Sequence, residues 1–435
     1  MSTRTIQTSA YGGMNRKLRF NGKMKSREII EWLREAKQER YYTILKFDEV
    51  ILNSAIIAEV LDLLRISSRH GRVWERVSLE FCEGPVDLVV SSLVLMDCVR
   101  HLFLASDKIQ DDLMDRLSTA LRISTSLKSL WLLIPMTEVS ATHLGSAMKY
   151  NRSIDKLSLS GSNWENSDDS DSDSDDDTND GSKSLRPKLF GKQNAGNSPV
   201  ENQMSPRDAA MSLALGLKYN DGIQSLDISC CDLPDEAMAP IIDGLVGHPY
   251  LEALNISRNR CRIQSVEALG RVVEDDDCLI RSLDLREQSP HDALEISPLS
   301  FALRQNRSLE ALRISHNELV DSQVLELVDS FRGNASIKEL DLEHNNITEK
   351  GIPDLTKYIK ELPSLTKLLL GGNAIGEEGF NFLESLEDDD DSICTITEED
   401  LRPAKPRSTK TAKTSKSTAA AAVSNNVSFL TGIAE

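Results

Sequence analysis

From residue 42 onward the chain repeats a nine-place phrase, apolar at the first, fourth and sixth places and often Asn at the ninth, about every 28 residues. The clearest copy runs from Ile337 to Asn345, and others run from Leu251 to Asn259, Leu309 to Asn317 and Leu365 to Asn373. Within Lys338 to Glu343 apolar and polar residues alternate, which predicts a strand with one buried face. After Asn345, Ile352, Leu355 and Ile359 fall at helical spacing, so a helix packs behind that strand. A strand, a helix and a parallel strand in succession wind right-handed, and a fixed period of this size predicts a solenoid. Each unit then buries its apolar face only by stacking on its neighbours.

Phrases begin at Tyr42, Trp74, Val99, Leu127, Ile154, Ile223, Leu251, Ile280, Leu309, Ile337 and Leu365, at intervals of 32, 25, 28, 27, 69, 28, 29, 29, 28 and 28 residues. Eleven repeats and one insertion follow, and a half phrase at Ile393 to Ile396 predicts a closing strand. The ninth place suits Asn, whose side chain can satisfy backbone groups where the strand turns away; it is filled by Asn259, Asn317, Asn345 and Asn373, by Cys82 and Cys231, and by Gln288, and the series departs at Val50, Asp107, Pro135 and Ser162. Several predicted helices end on Asn just before the next phrase, as at Asn151, Asn306 and Asn334, where a left-handed residue would stop the helix. These tripeptides also fit the N-glycosylation pattern, but their repeat phase favours helix stops.

The phrase L-x-x-L-x-L-x-x-N followed by a helix resembles the leucine-rich-repeat family, in particular its ribonuclease-inhibitor-like branch, over Tyr42 to Asp400. The resemblance implies an α/β, right-handed horseshoe solenoid with parallel strands on the concave face and helices on the convex face. It is specific for fold and poor for function.

The expected organisation has five parts. Residues 1–25 form a disordered basic leader, and 26–161 hold a capping helix and the first repeats. Residues 162–205 form a disordered acidic Ser/Asp insert, 206–400 the remaining repeats and closing strand, and 401–435 a disordered basic tail. Ser26 is the expected N-cap of the first helix, with Ile29, Ile30 and Leu33 facing the first repeat. The first 27 residues carry seven bases and no acid, which fits either a plain leader or a transit peptide. Between Glu165 and Asp180 stand nine acids, and the composition there cannot offset ordering entropy by burial. The whole insert of about 44 residues between Gly161 and Pro206, as a flexible coil, has a mean reach of about 35 to 40 Å.

Read as a calcium loop, the acidic run fails, because Asp176 takes the place of the required Gly and Ser182 that of the final Glu. Read as a kinase target it offers Ser170, Ser172 and Ser174, each followed by carboxylates; a passive linker is the other reading. The tail places six bases between Arg402 and Lys416, open to an import signal, a partner for the insert or a solubilising end.

A net charge of -19 sits on a chain with 40% hydrophobic content and seven scattered cysteines. Neither Cys-x-x-Cys nor Cys/His metal spacing occurs, so a reducing intracellular compartment, cytoplasmic with a nuclear alternative, is expected. No apolar run nears the roughly 20 residues that span a bilayer, so no membrane association is expected. The seven histidines are dispersed, with His316 and His344 expected to be neighbours, and no catalytic cluster, cofactor site or metal site is expected.

Places three, five and seven of the phrase face away from the core. They put Phe103, Trp131 and Leu133 together as an expected apolar docking cluster, with mutual burial as the competing reading. They also put Glu339, Asp341 and Glu343 beside Asp284, with Arg313 between, as an expected acidic partner surface or a plain solvated face. Signs are mixed along the face, which argues against a nucleic-acid groove. The function expected is that of a non-enzymatic scaffold or adaptor holding a partner protein on the concave face or the strand-end rim, modulated by the insert. The alternative is a GTPase activator resembling the Ran GTPase-activating proteins, acting on a small GTPase; in that family the acidic segment follows the repeats, whereas here it interrupts them.

Overall fold

A computed structural model describes residues 16–39, 42–108, 111–162, 164, 206–288 and 294–384. Strands and helices alternate: β1 (Arg16–Asn21), α1 (Ser26–Gln38), β2 (Tyr42–Asp48), α2 (Ser54–Arg69), β3 (Trp74–Glu80), α3 (Val86–Leu95), β4 (Val99–Ala105), α4 (Asp111–Leu121), β5 (Ser129–Leu133), α5 (Glu138–Met148), β6 (Lys156–Ser158) and α6 (Pro206–Lys218). The second half continues as β7 (Ser225–Asp227), α7 (Asp235–Asp243), β8 (Ala253–Asn255), α8 (Ile263–Glu274), β9 (Ser282–Asp284), α9 (Ser297–Leu303), β10 (Ala311–Arg313), α10 (Asp321–Ser330), β11 (Glu339–Asp341), α11 (Ile352–Ile359), β12 (Lys367–Leu369) and α12 (Gly376–Glu384).

Among the described residues the twelve strands form one parallel sheet in chain order. Leucines at the fourth place lie in one row, Leu312 opposite Leu283 and Leu340, and Leu340 opposite Leu368. Leu340, Leu342 and Ile352 are fully buried, with Leu355 behind them, so the alternation read in the sequence closes onto the helix that follows it. Strands sit about 4.8 Å apart and packed helices about 8–10 Å, so the stack bends with the sheet inside, and the helix-free sheet face is the concave one.

The turn after each strand is stabilised across repeats. Asn345 donates from Nδ2 to Ile314 O of the preceding repeat at 3.2 Å and accepts at Oδ1 from the Asn317 and Leu319 amides at 3.0 and 3.1 Å. Asn373 does the same one repeat later. Gln288 and Cys231 reach the preceding repeat's carbonyls of Ile256 and Leu159. The eighth place is left-handed, with φ of 57° at Arg258, 59° at His316 and 52° at His344. That conformation is uncommon outside Gly, so the side-chain bonds beside it are what hold the turn.

Three expectations change. Residues 16–25 are not a disordered leader: β1 buries Leu18 and Phe20 and pairs in register with β2, because its alternation Leu-x-Phe is that of a short repeat strand. Ser26 is not the N-cap; Lys25 stands there, and Ser26 Oγ instead accepts from Asn53 Nδ2 at 2.9 Å. The Asn helix stops act through their side chains and without a left-handed backbone. Asn151 Oδ1 accepts from the Ser153 and Ile154 amides while its Nδ2 donates to Leu121 O at 2.6 Å, and Asn306 and Asn334 are bonded alike. Their amides are buried and engaged, which leaves none available to a glycan.

The insertion leaves the stack continuous. Leu157 pairs with Leu226 and Ser158 with Asp227. Asn220 Nδ2 donates back to Met148 O at 2.5 Å, and Arg152 pairs with Asp221. Behind the sheet α5 and α6 touch through glycine, for a Cβ on Gly216 would lie 2.2 Å from Gly145 O. The acidic run with Ser170, Ser172 and Ser174, the half phrase at Ile393 to Ile396 and the basic tail lie outside the described residues.

Candidate functional site

The concave face is read in columns set by the register. The fifth-place column runs Arg19, Lys46, Ser78, Phe103, Trp131, Ser158, Asp227, Asn255, Asp284, Arg313, Asp341 and Leu369. Large rings thus meet on β4 and β5, where Phe103 and Trp131 are direct register partners and both remain half-buried. Leu133 does not join them on the surface: it is buried, and a Cβ on Gly161 would come within 2.8 Å of its Cδ1, so it lies under the Gly161 turn.

Two polar groups that sequence reasoning did not place here complete the cluster. The Arg76 guanidinium on β3 sits 5.7 Å from the Trp131 ring centre. The His101 ring lies 6.0 Å from the same indole, tilted by 56°, and its Nε2 is 3.3 Å from Glu75 Oε1. Burial holds the His101 pKa below its ordinary value, against the pull of Glu75. Cation and imidazole therefore flank the indole, and an exposed contact of this kind favours that arrangement by about 0.5–1 kcal/mol. Third-place residues Arg76 and His101 are themselves register partners, a relation visible in the sequence once the columns are aligned.

The acidic group is less available than its sequence suggests. Asp284 is fully buried and held by Arg286 through Nε and Nη2 bonds of 2.9, 3.0 and 2.6 Å. Arg313 donates twice to Glu339 at 3.2 Å, and Lys367 reaches the same carboxylate at 3.2 Å. Asp341 is buried and accepts from Ser315 Oγ and the Glu343 amide. Of the four acids expected there, the shorter Asp284 and Asp341 are buried, while Glu339 and Glu343 stay half-buried beside Arg313. Among the acids of this face Asp227 stands apart. Burial pushes its pKa up to about 6, with the Ser229 and Ser158 donors opposing and Asp284 adding to the rise.

On the rim, His316 and His344 stack as expected, with ring centres 4.2 Å apart and planes at 16°. Among the described residues no group of three or more His, Cys, Asp or Glu is placed to hold a metal ion, and no helix is long and apolar enough to cross a membrane. The six described cysteines are free, and burial raises the thiols of Cys82 and Cys98 to about 11. Two cavities among the described residues, one lined by Leu79, Leu104 and Ile134 and one by Leu245, His248 and Val272, measure about 10 Å³ each, room for one water.

The strand-and-helix period, the buried fourth and sixth places and the cross-repeat asparagine ladder coincide with a family match: the family described as Leucine Rich repeat matches residues 333–352. The chain folds as a leucine-rich-repeat solenoid. It is 26% identical over 289 residues to the human NACHT, LRR and PYD domains-containing protein 14, an alignment covering 61% of this chain and 25% of that protein. The leucine-rich-repeat chain thus spans about a quarter of that relative's length. A solved structure titled Leiomodin-1 Actin-Binding Site 2 (ABS2) is 17% identical, covering 30% of this leucine-rich-repeat chain and 74% of its own, with a TM-score of 0.24.

Proposed function

We propose that this solenoid is a non-catalytic scaffold whose concave face holds a partner protein, with Phe103 and Trp131 as the anchors. The single observation that carries this is the half-exposed ring pair on adjacent strands, set on a rigid sheet and flanked by Arg76 and His101. Aromatic side chains held in place on a stiff support dominate interface energies, at roughly 2 kcal/mol or more each. The leucine-rich-repeat fold supports a protein-interaction role in general, while the acidic insert, with Ser170, Ser172 and Ser174, supplies a site where phosphorylation would change association rates through long-range charge. The scattered cysteines support a cytoplasmic or nuclear setting for this scaffold.

The test is capture of the main cellular partner by immobilised wild type and by the Phe103→Ala, Trp131→Ala double variant. Capture is lost while the melting temperature stays within a few degrees, since both rings lie on the surface side of the sheet. Retained capture refutes the site, and a large fall in melting temperature returns both rings to the core. The same reading expects GTP hydrolysis by small GTPases to be unaffected; stimulated hydrolysis would put the activator reading in its place.

A further inference from the structure

Around Trp131 the charges are unbalanced in a way that specifies a partner. Two bases on the first strands are spent on neighbours: Arg19 on Asp48 at 3.0 Å and Lys46 on Glu80. Arg76 is exposed, has its guanidinium over the Trp131 ring, and among the described residues no carboxylate pairs with it. A guanidinium presented this way offers a planar fork of donors in a defined place, and its natural complement is a carboxylate. Next to it the Phe103 and Trp131 rings offer apolar area with little polar demand, flanked by the buried Ser78 and Ser129.

We propose that Arg76, Phe103 and Trp131 form a two-part receptor for an extended partner segment with an acidic residue and, two places along, an aromatic or branched aliphatic one. The carboxylate sits on the Arg76 guanidinium and the apolar side chain against Phe103 and Trp131. This rests on the scaffold reading above and adds the partner's chemistry to it. The spacing follows from the register. Arg76 stands opposite His101 on β4, one same-face position away from Phe103. One strand step and two residues along a strand separate Arg76 from Phe103 by about 8 Å at the backbone, and Trp131 stands one strand further on with its ring centre 5.7 Å from the guanidinium. In an extended segment, residues i and i+2 share a face at about 7 Å, so both contacts form together, whereas i and i+1 point opposite ways. A basic residue in place of the acidic one meets the Arg76 cation, while the neighbouring Glu75 carboxylate is taken up by Arg100 and His101, which disfavours that segment.

The experiment uses the full chain labelled with 5-fluorotryptophan, the Trp131 resonance being identified by its absence in Trp131→Phe. Three acetylated, amidated peptides are titrated: Glu-Ser-Phe, Lys-Ser-Phe and Glu-Ser-Ser. The Glu-Ser-Phe peptide is expected to shift the Trp131 signal with at least about tenfold higher affinity than either control. Arg76→Gln is expected to bring the Glu-to-Lys ratio to near one with an unchanged melting temperature, and Arg76→Lys to keep part of it. Equal binding of the two charged peptides, or a ratio that survives Arg76→Gln, overturns the proposal, as does the absence of any binding. If the peptides bind as stated but the double-alanine protein still captures its cellular partner, the receptor chemistry stands and the scaffold site moves elsewhere. If the double-alanine protein loses its partner while the peptides do not discriminate, the scaffold site stands and the acidic-aromatic assignment falls.

Discussion

The Asp235 carboxylate accepts the Ser265 amide at 2.9 Å, so the first residue of α7 caps the helix of the next repeat. The same carboxylate takes the Arg262 and Gln264 amides at 2.7 and 3.0 Å, while Arg262, at the cap position of α8, makes no side-chain cap of its own. Asp235→Ala therefore leaves three amide donors short at once, in a site where Ser265 is fully buried. The expected loss is about 2 kcal/mol. Urea unfolding checks it, and Asp235→Asn recovers part because one amide oxygen still accepts.

Replacing a helical Gly by Ala normally gains up to about 1 kcal/mol. At Gly216 the sign reverses, since the new Cβ would lie 2.2 Å from Gly145 O, a backbone atom that cannot swing aside. Gly216→Ala is expected to cost about 1–3 kcal/mol by forcing α6 off α5. Ala substitution at Gly270, where the nearest atom is 3.2 Å away, is expected to be far milder, and melting temperatures of the two variants decide it.

Two buried groups give opposite pH dependences. His248 has its pKa pushed down to about 4 by burial, with Nε2 unpaired in an apolar surround of Leu245, Leu251 and Val272. The unfolded chain binds the proton that the folded chain refuses, so stability falls as pH drops from about 6.5 toward about 4, by about 3 kcal/mol in all. Asp227, raised to about 6, binds its proton more tightly when folded, so its contribution is present below the unfolded value of about 3.9 and is lost as pH rises through about 6. His248→Phe should flatten the acid limb, and Asp227→Asn should raise stability at pH 7 by an amount of the same order. Unfolding curves between pH 4 and 8 that are the same for wild type and both variants would contradict these assignments.

Deleting residues 166–205 is expected to leave the melting temperature within a few degrees of wild type. The pairing of Leu157 with Leu226 and the bond from Asn220 to Met148 bridge the insertion point directly, and loop length itself costs little. Limited proteolysis of the intact chain should cut first inside that span. Loss of cooperative unfolding on deletion would show that the insert is needed by the stack.

How much of this was legible in the sequence depends on the period. Leu340, Leu342 and Asn345 announce their roles because buried rows and ladder positions recur in phase, and the register then places Phe103 beside Trp131. The β1 strand was missed because it precedes the first full phrase, with Leu18 and Phe20 too few to show a period amid basic residues. Leu133 was placed on the right face but without the Gly161 turn that covers it. Arg76 meets Trp131 across two repeats and Asp235 caps Ser265 across one; the period aligns these positions but does not say which side chains reach each other.

The asparagine ladder sets a rule for shortening this molecule. Asn373 supplies the oxygen that the Asn345 and Ile347 amides require, so the turn of β11 is completed by a residue of the following unit. A chain cut back to residue 364 would expose Leu340 and Leu342 along a raw edge and also strip two amides of their acceptor. The unit so uncovered would fray in its turn, and the workable length of this protein therefore changes only where a new terminal unit brings its own acceptor.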